Sequence, residues 1–230
     1  MRRCWRGEAA QALPLGLFLL MAFLILIFGV MGMEVGIWTR IELQGAADAG
    51  TRAASAEAVP YARLAVTLHQ ESCSQIAGGQ QPNCSDGPPQ TVNVEGLWWD
   101  LFGTAGGPPG WAARAGCAAV GQASQHDGDL ICTGWHLLAW GWRYPAGAEP
   151  RATAVRWLET NTANLTSSGK TTLAVLDVAA AADGTGRVAM HVRATEAWNP
   201  LSVVIGKPVT VTVASEAQPV LSAPLPQSGR

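Results

Sequence analysis

Between Glu8 and Glu34 the chain carries no charged side chain, and from Pro14 to Ile37 it reads PLGLFLLMAFLILIFGVMGMEVGI. A helix rises about 1.5 Å per residue, so a run of about 24 residues spans roughly 36 Å, enough to cross a hydrocarbon core of about 30 Å with modest tilt. No later apolar run approaches that length, so one crossing is expected. Arg2, Arg3 and Arg6 precede the run, and flanks rich in arginine stay in the cytoplasm, which places the N-terminus inside and the residues after Trp38 outside. A cleavable signal peptide has an apolar core of only about 7 to 15 residues followed by a small-residue site. This core is longer, and Met33, Glu34, Val35 and Gly36 make a poor site, so a retained anchor is expected.

The rest of the composition fits one span and one modest external part. The net charge is -2 over 230 residues, which gives no basis for nucleic acid as a partner. About 190 residues remain outside, enough for a compact head on a stalk. The expected fold class is α+β: a long transmembrane helix extended beyond the membrane, then a small disulfide-bonded head with an antiparallel sheet of about three strands. The expected segments are a basic cytoplasmic N-terminus (1–13), the transmembrane helix (14–38), an extracytoplasmic helical stalk (39–70), a loop-rich Trp and Cys region (71–150), a helix with the sheet (151–216) and a flexible tail (217–230).

The stalk expectation rests on TRIELQGAADAGTRAASAEAV, which follows Trp38 with strong helix formers and no proline until Pro60. Within it Ala46, Gly50, Ala54 and Ala58 recur at helical spacing, and Gly32 and Gly36 form a GxxxG inside the apolar run. Small residues along one stripe let another helix approach closely. Glu34, at the outer end of the run, is expected to mark the membrane boundary in hydrated form; the alternative is an ion pair with a neighbouring helix that sets register.

RGEAAQALPLGLFLL followed by MEVGIWTRIELQGAADAGTRAAS resembles the N-terminal segment of the TadE/TadG-like proteins of tight-adherence (Flp) pilus assembly. That family has a short basic start, an apolar helix, an acidic residue followed by Val or Leu and Gly, an arginine, and a segment resembling LQNAADAAALAAA. Glu34, Val35, Gly36, Arg40, Leu43, Gln44, Ala46, Ala47, Asp48 and Ala49 occupy those places, and the likeness covers about residues 6 to 56. Pilin-like precursors are typically cut after a glycine with glutamate five residues beyond it. Counting from Gly7 that place holds Ala12, and Glu8 directly follows the glycine, so the chain is more similar to the TadG-like branch than to a processed pilin. The resemblance implies a non-enzymatic, minor pilin-like or assembly component of the bacterial inner membrane, partnered by pilin-like and pilus-assembly proteins. Gly32, Glu34, Gly36, Leu43, Gln44, Ala46, Asp48, Gly50 and Ala54 are then the expected helix-packing and assembly residues. The competing expectation is a membrane-tethered binding module, for example for envelope glycan, on a generic anchor.

Cys73, Cys84, Cys117 and Cys132 all follow the span, where oxidation is permitted, whereas Cys4 precedes it. Four cysteines allow three pairings; local pairing, Cys73 with Cys84 and Cys117 with Cys132, is favoured because it closes short loops. There is no C-x-x-C spacing and the histidines are scattered, so no metal is expected. His126, Asp127 and Asp129 lack the following glutamate of a calcium loop and read as a hydrated turn. In SSGKTTL a phosphate loop would need glycine at Asn164 and a helix afterwards, whereas Thr171 to Val178 reads as strand. With no nucleophile elbow either, no catalytic residue, cofactor or small-molecule substrate is expected.

Six of the ten tryptophans lie between Trp98 and Trp142. Exposed, they would bind carbohydrate or a partner; the expectation is that Trp98, Trp99, Trp135, Trp140 and Trp142 fill a small core. GGQQPNCSDGPP (Gly78 to Pro89) and GTAGGPPG (Gly103 to Gly110) read as loops. Farther on, Arg151 to Asn161 reads as an amphipathic helix, and three strands follow: Thr171 to Val178, the alternating Val188, Met190 and Val192, and PVTVTVAS with Val209, Val211 and Val213 on one face. His191 falls on the polar side of its strand.

Overall fold

The computed structural model describes residues 5–74, 83–103, 109–122, 126–167 and 169–221, without the side chains of 5–13. The apolar run lies in one continuous helix, α1, Trp5–Ser55. From Pro14 onward α1 is the one helix, among the described residues, long and apolar enough to cross a membrane, with a mean hydropathy of 2.7 in its most apolar window. Leu15, Phe18, Leu19, Phe23, Ile25 and Leu26 are all exposed on it. A soluble protein would bury such residues in a core, so this half of α1 needs an apolar solvent.

After α1 come β1 (Val59–Ser74), β2 (Asn83–Asp86), β3 (Gln90–Leu97), α2 (Trp98–Phe102), α3 (Gly110–Ala115), β4 (Ala119–Val120) and β5 (Leu130–Arg143). Then follow α4 (Pro150–Asn161), α5 (Ala163–Thr166), β6 (Thr171–Ala180), β7 (Val188–Glu196), α6 (Pro200–Ile205) and β8 (Val209–Ala217). The chain divides into two compact units. One joins α1 to α4, α5, α6 and the β6-β7-β8 sheet; the other holds β1 to β5 with α2 and α3.

The first unit matches the expected helix-then-sheet pattern. Strands β6, β7 and β8 are antiparallel, with Val175 opposite Val192 and Val192 opposite Val213. Period-two alternation sends Val188, Met190, Val192, Ala194 and Glu196 to the covered face, all buried, while His191 is exposed as expected. Helix α4 replaces the expected Arg151–Asn161 almost residue for residue, with Pro150 at its first turn.

The second unit corrects two expectations. The stalk does not stay helical to residue 70: α1 ends at Ser55 and Val59–Ser74 is strand. Leu64, Val66 and Leu68 are buried at a spacing of two, and Pro60 cannot donate the bond a helix would need there. The head also holds more than three strands. Strands between Val59 and Arg143 form a mixed five-stranded sheet with order β2-β1-β5-β4, β3 pairing along the same side of β1 as β2 and β4 running parallel to β5. Val66 lies opposite Val92 on one side and Trp135 on the other. Its core gathers Leu64, Val66, Leu68, Val94, Trp98, Leu101, Trp111 and Cys132. Each fully buried aliphatic side chain of this kind contributes about 1.5–3 kcal/mol.

The cysteines form two local disulfides, Cys73–Cys84 and Cys117–Cys132. The first joins β1 to β2 at directly opposed positions, and the second ties the loop after α3 to β5. The tryptophan expectation holds for part of the set. Trp98 is buried and Trp135 and Trp142 are half-buried, Trp111, outside the expected set, is buried too, and Phe102 lies 4.8 Å from Trp98 and 5.4 Å from Trp135 between ring centroids. Trp99 and Trp140, by contrast, are 51% and 42% exposed. The tail expectation falls mostly on residues 222–230, outside the described residues, as do parts of the two predicted loops.

Candidate functional site

The residues singled out on α1 are brought together, but against the chain's own sheet. Leu43, Ala46, Ala47, Gly50, Thr51 and Ala54 are buried along one stripe. At Gly50 the approach is tight: a Cβ there would stand 2.7 Å from the Ala154 carbonyl oxygen of α4 and 3.4 Å from Met190 Cε of β7. The small stripe therefore does within one molecule what was expected between molecules, letting backbone approach backbone.

Gln44 and Asp48, of the family-like segment, grip β8. Gln44 Nε2 donates to Asp48 Oδ1 at 2.9 Å and to the Ala214 carbonyl at 3.0 Å. Ser215 donates its hydroxyl to Asp48 Oδ1 at 2.6 Å, and Thr51 Oγ1 lies 2.9 Å from Ser215 Oγ. These are one helical turn apart on one face, because positions three and four apart are neighbours there.

A second polar cluster sits farther down the helix. Glu196, at the end of β7 and 2% exposed, accepts from the Thr39 hydroxyl and from Asn199 Nδ2. Asn199 is fully buried, and its Nδ2 also reaches the Gly32 carbonyl at 3.2 Å while its Oδ1 accepts from Leu201 N at 2.8 Å. One side chain thus caps α6, completes the coordination of a buried carboxylate and ties both to α1. Gly32 is required there: a Cβ would collide with Leu201 and stand 2.7 Å from Asn199 Oδ1. Glu196 and Asn199 were not anticipated. The Asn-Pro pair before PLSVVI is a helix-start signal, but nothing local tells that its asparagine also reaches a residue 167 positions earlier.

The remaining expected residues, Glu34 and Gly36, differ in exposure. Glu34 is exposed. Gly36 has nothing within 4 Å of a built Cβ and lines, with Met33, Ile37 and Arg40, a groove against Thr210, Val211 and Thr212 of β8. On the uncovered side Ile37, Trp38 and Ile41 are exposed and Gly45 is open.

In the five-stranded unit, His126, Asp127 and Asp129 form a turn against β1, in which Asp127 Oδ1 accepts from Cys73 N at 2.8 Å and Gly128 N donates to Glu71 O at 2.8 Å. Glu71, Cys73 and Cys84 are close enough together to hold a metal ion, but the two sulfurs are bonded to each other and offer no thiolate. Gly169 and Lys170 lead directly into β6, the strand expected after GKTT. Tyr144 donates to the Gly186 carbonyl at 2.8 Å; burial first, and the nearby Glu57 carboxylate second, push its hydroxyl above its ordinary value. Asp183 is held below the usual carboxylate range by hydrogen bonds from the Thr185 hydroxyl and backbone N–H.

No family model, curated protein or solved structure matches the chain.

Proposed function

We propose that the chain is a single-pass protein of the bacterial inner membrane, its N-terminus cytoplasmic and its head extracytoplasmic, acting as a TadE/TadG-like minor pilin-like or assembly component of a tight-adherence pilus or related secretion system. The observation that carries this reading is the division of α1 into two faces. Leu43, Ala46, Gly50 and Ala54 are covered by the chain's own sheet, while Ile37, Trp38, Ile41 and Gly45 stay uncovered beside an apolar span. Close helix contact uses small residues in lipid and apolar ones just outside it. Lateral partners therefore meet the uncovered face, with Gly45 as the point of closest approach. The stripe centred on Gly50 acts indirectly, by holding the sheet on the helix.

Photocrosslinking in cells tests this. A photoreactive residue at Ile41 or Gly45 is expected to capture pilin-like or platform proteins, and one at the buried Ala47 to capture none. Capture restricted to lipid at both exposed positions would overturn the assembly role. The exposure of Trp99 and Trp140 favours one second reading, a tethered module that stacks these rings on envelope glycan. Loss of glycan binding by the full chain on Trp99→Ala and Trp140→Ala would support it.

A further inference from the structure

We propose that the β7–β8 connection, residues 197–208 with α6, is a second membrane contact that inserts its apolar side chains into the outer leaflet beside α1. The proposal rests on the reading of α1 as the membrane span.

The position of this connection follows from hydrogen bonds within the first unit. Glu196 meets Thr39, whereas Ser215, which lies opposite Met190, meets Asp48. Going from Thr39 to Asp48 climbs roughly 14 Å of helix. Going from Met190 to Glu196 covers roughly 20 Å of strand. Strand β7 therefore descends α1 toward the apolar run, and β8 climbs back from Val209, opposite Glu196. The connection between them is the tip of the sheet nearest the membrane. Asn199 and Leu201 fix its level by their contacts with Gly32. Gly32 lies two residues before Glu34, about 3 Å along the axis, and inside the charge-free run. A bilayer that takes the apolar half of α1 extends to this depth, and the tip lies at the boundary of its hydrocarbon.

The chemistry of the tip fits that place. Trp198, Val203, Val204 and Ile205 are exposed, Val203 by 69%. Apolar residues scattered singly over a surface are ordinary, but these fall within eight consecutive positions and form a patch that water would not retain. Residues 197–208 contain no Asp or Glu, and their one charge is Lys207. Lys170 joins the same edge: its carbonyl accepts from Ala197 N at 2.7 Å, and its Nζ stands 5.5 Å from the centre of the Trp198 ring. A tryptophan at headgroup level, lysines beside it and aliphatic side chains below are what an anionic leaflet selects.

Depth measurement by spin labelling tests this in the full chain, reconstituted in vesicles of equal parts phosphatidylcholine and phosphatidylglycerol. In a Cys4→Ser background, with both disulfides oxidised, nitroxides are placed through Val203→Cys, Ala22→Cys in the span, and Ala179→Cys at the far end of β6. Ala22 is expected to collide with oxygen several-fold more than with an aqueous nickel chelate, Ala179 to show the reverse, and Val203 to side with Ala22 at a shallower depth. A water-like Val203 beside a lipid-like Ala22 would overturn the second contact while leaving the span intact. A water-like Ala22 would instead remove the span on which the proposal depends.

Discussion

Replacing Asn199 by alanine removes the one side chain that serves α1, β7 and α6 together, and the cost can be built up from its bonds. The cap to Leu201 N is worth about 1 kcal/mol. Loss of Nδ2 strips the buried Glu196 carboxylate of one of its two donors, which adds about 1–3 kcal/mol. The sum, about 2–4 kcal/mol, corresponds to a fall in melting temperature of roughly 5–15 °C for a chain of this size. Near-ultraviolet circular dichroism of the tryptophans, on the full chain in detergent micelles, reads the transition. Asn199→Asp keeps the cap acceptor but sets a second carboxylate against Glu196, so at neutral pH it is expected to rescue nothing. A double-mutant cycle with Glu196→Gln should show a coupling of about 0.5–3 kcal/mol. A loss below about 0.5 kcal/mol for Asn199→Ala, or additivity within about 0.3–0.5 kcal/mol, would refute the claim that these side chains work as one cluster.

Two glycines of α1 should respond with opposite sign to alanine: Gly50, against the Ala154 carbonyl, loses about 1–3 kcal/mol by overpacking, while Gly45, open and mid-helix, gains about 0.5–1 kcal/mol; thermal unfolding of both variants checks the pair. Replacing Cys117 and Cys132 by serine opens a loop with a sequence separation of 15, and a loop of about that size implies a loss of about 3 kcal/mol, read by denaturant unfolding. Because burial and Glu57 raise Tyr144, its folded pKa exceeds its unfolded one. Its share of stability is therefore complete below the ordinary tyrosine value of 10.0 and lost as pH rises through the folded value. Tyrosinate absorbance followed in the wild type and in Tyr144→Phe isolates this component.

The elements that depend on local pattern are legible in the sequence. The apolar run, helix α4, the alternation of Val188, Met190 and Val192, and the two short-range disulfides each rest on residues near one another in the chain. What stayed hidden depends on partners far away. Leu64, Val66 and Leu68 alternate as a strand should, but so short an alternation directly after a helix decides little by itself, and the strand is made stable by β3 and β5. The stripe of Ala46, Gly50 and Ala54 lies against the chain's own α4 and β7, a placement the stripe does not encode, since small residues describe how close a neighbour comes and not which chain supplies it. Glu196 carries no motif and Asn199 only a helix-start signal, because a buried polar cluster between a helix and a distant strand end leaves no periodic trace.

The unbroken run of α1 from the apolar segment to Ser55, gripped by β8 near Asp48 and by Asn199 at Gly32, has a mechanical consequence. There is no hinge within the first unit between the part that lies in lipid and the part that carries the sheet. Any rotation or tilt of the apolar half of the helix must swing the β6-β7-β8 sheet through the same angle. The helix is then a drive shaft for its sheet.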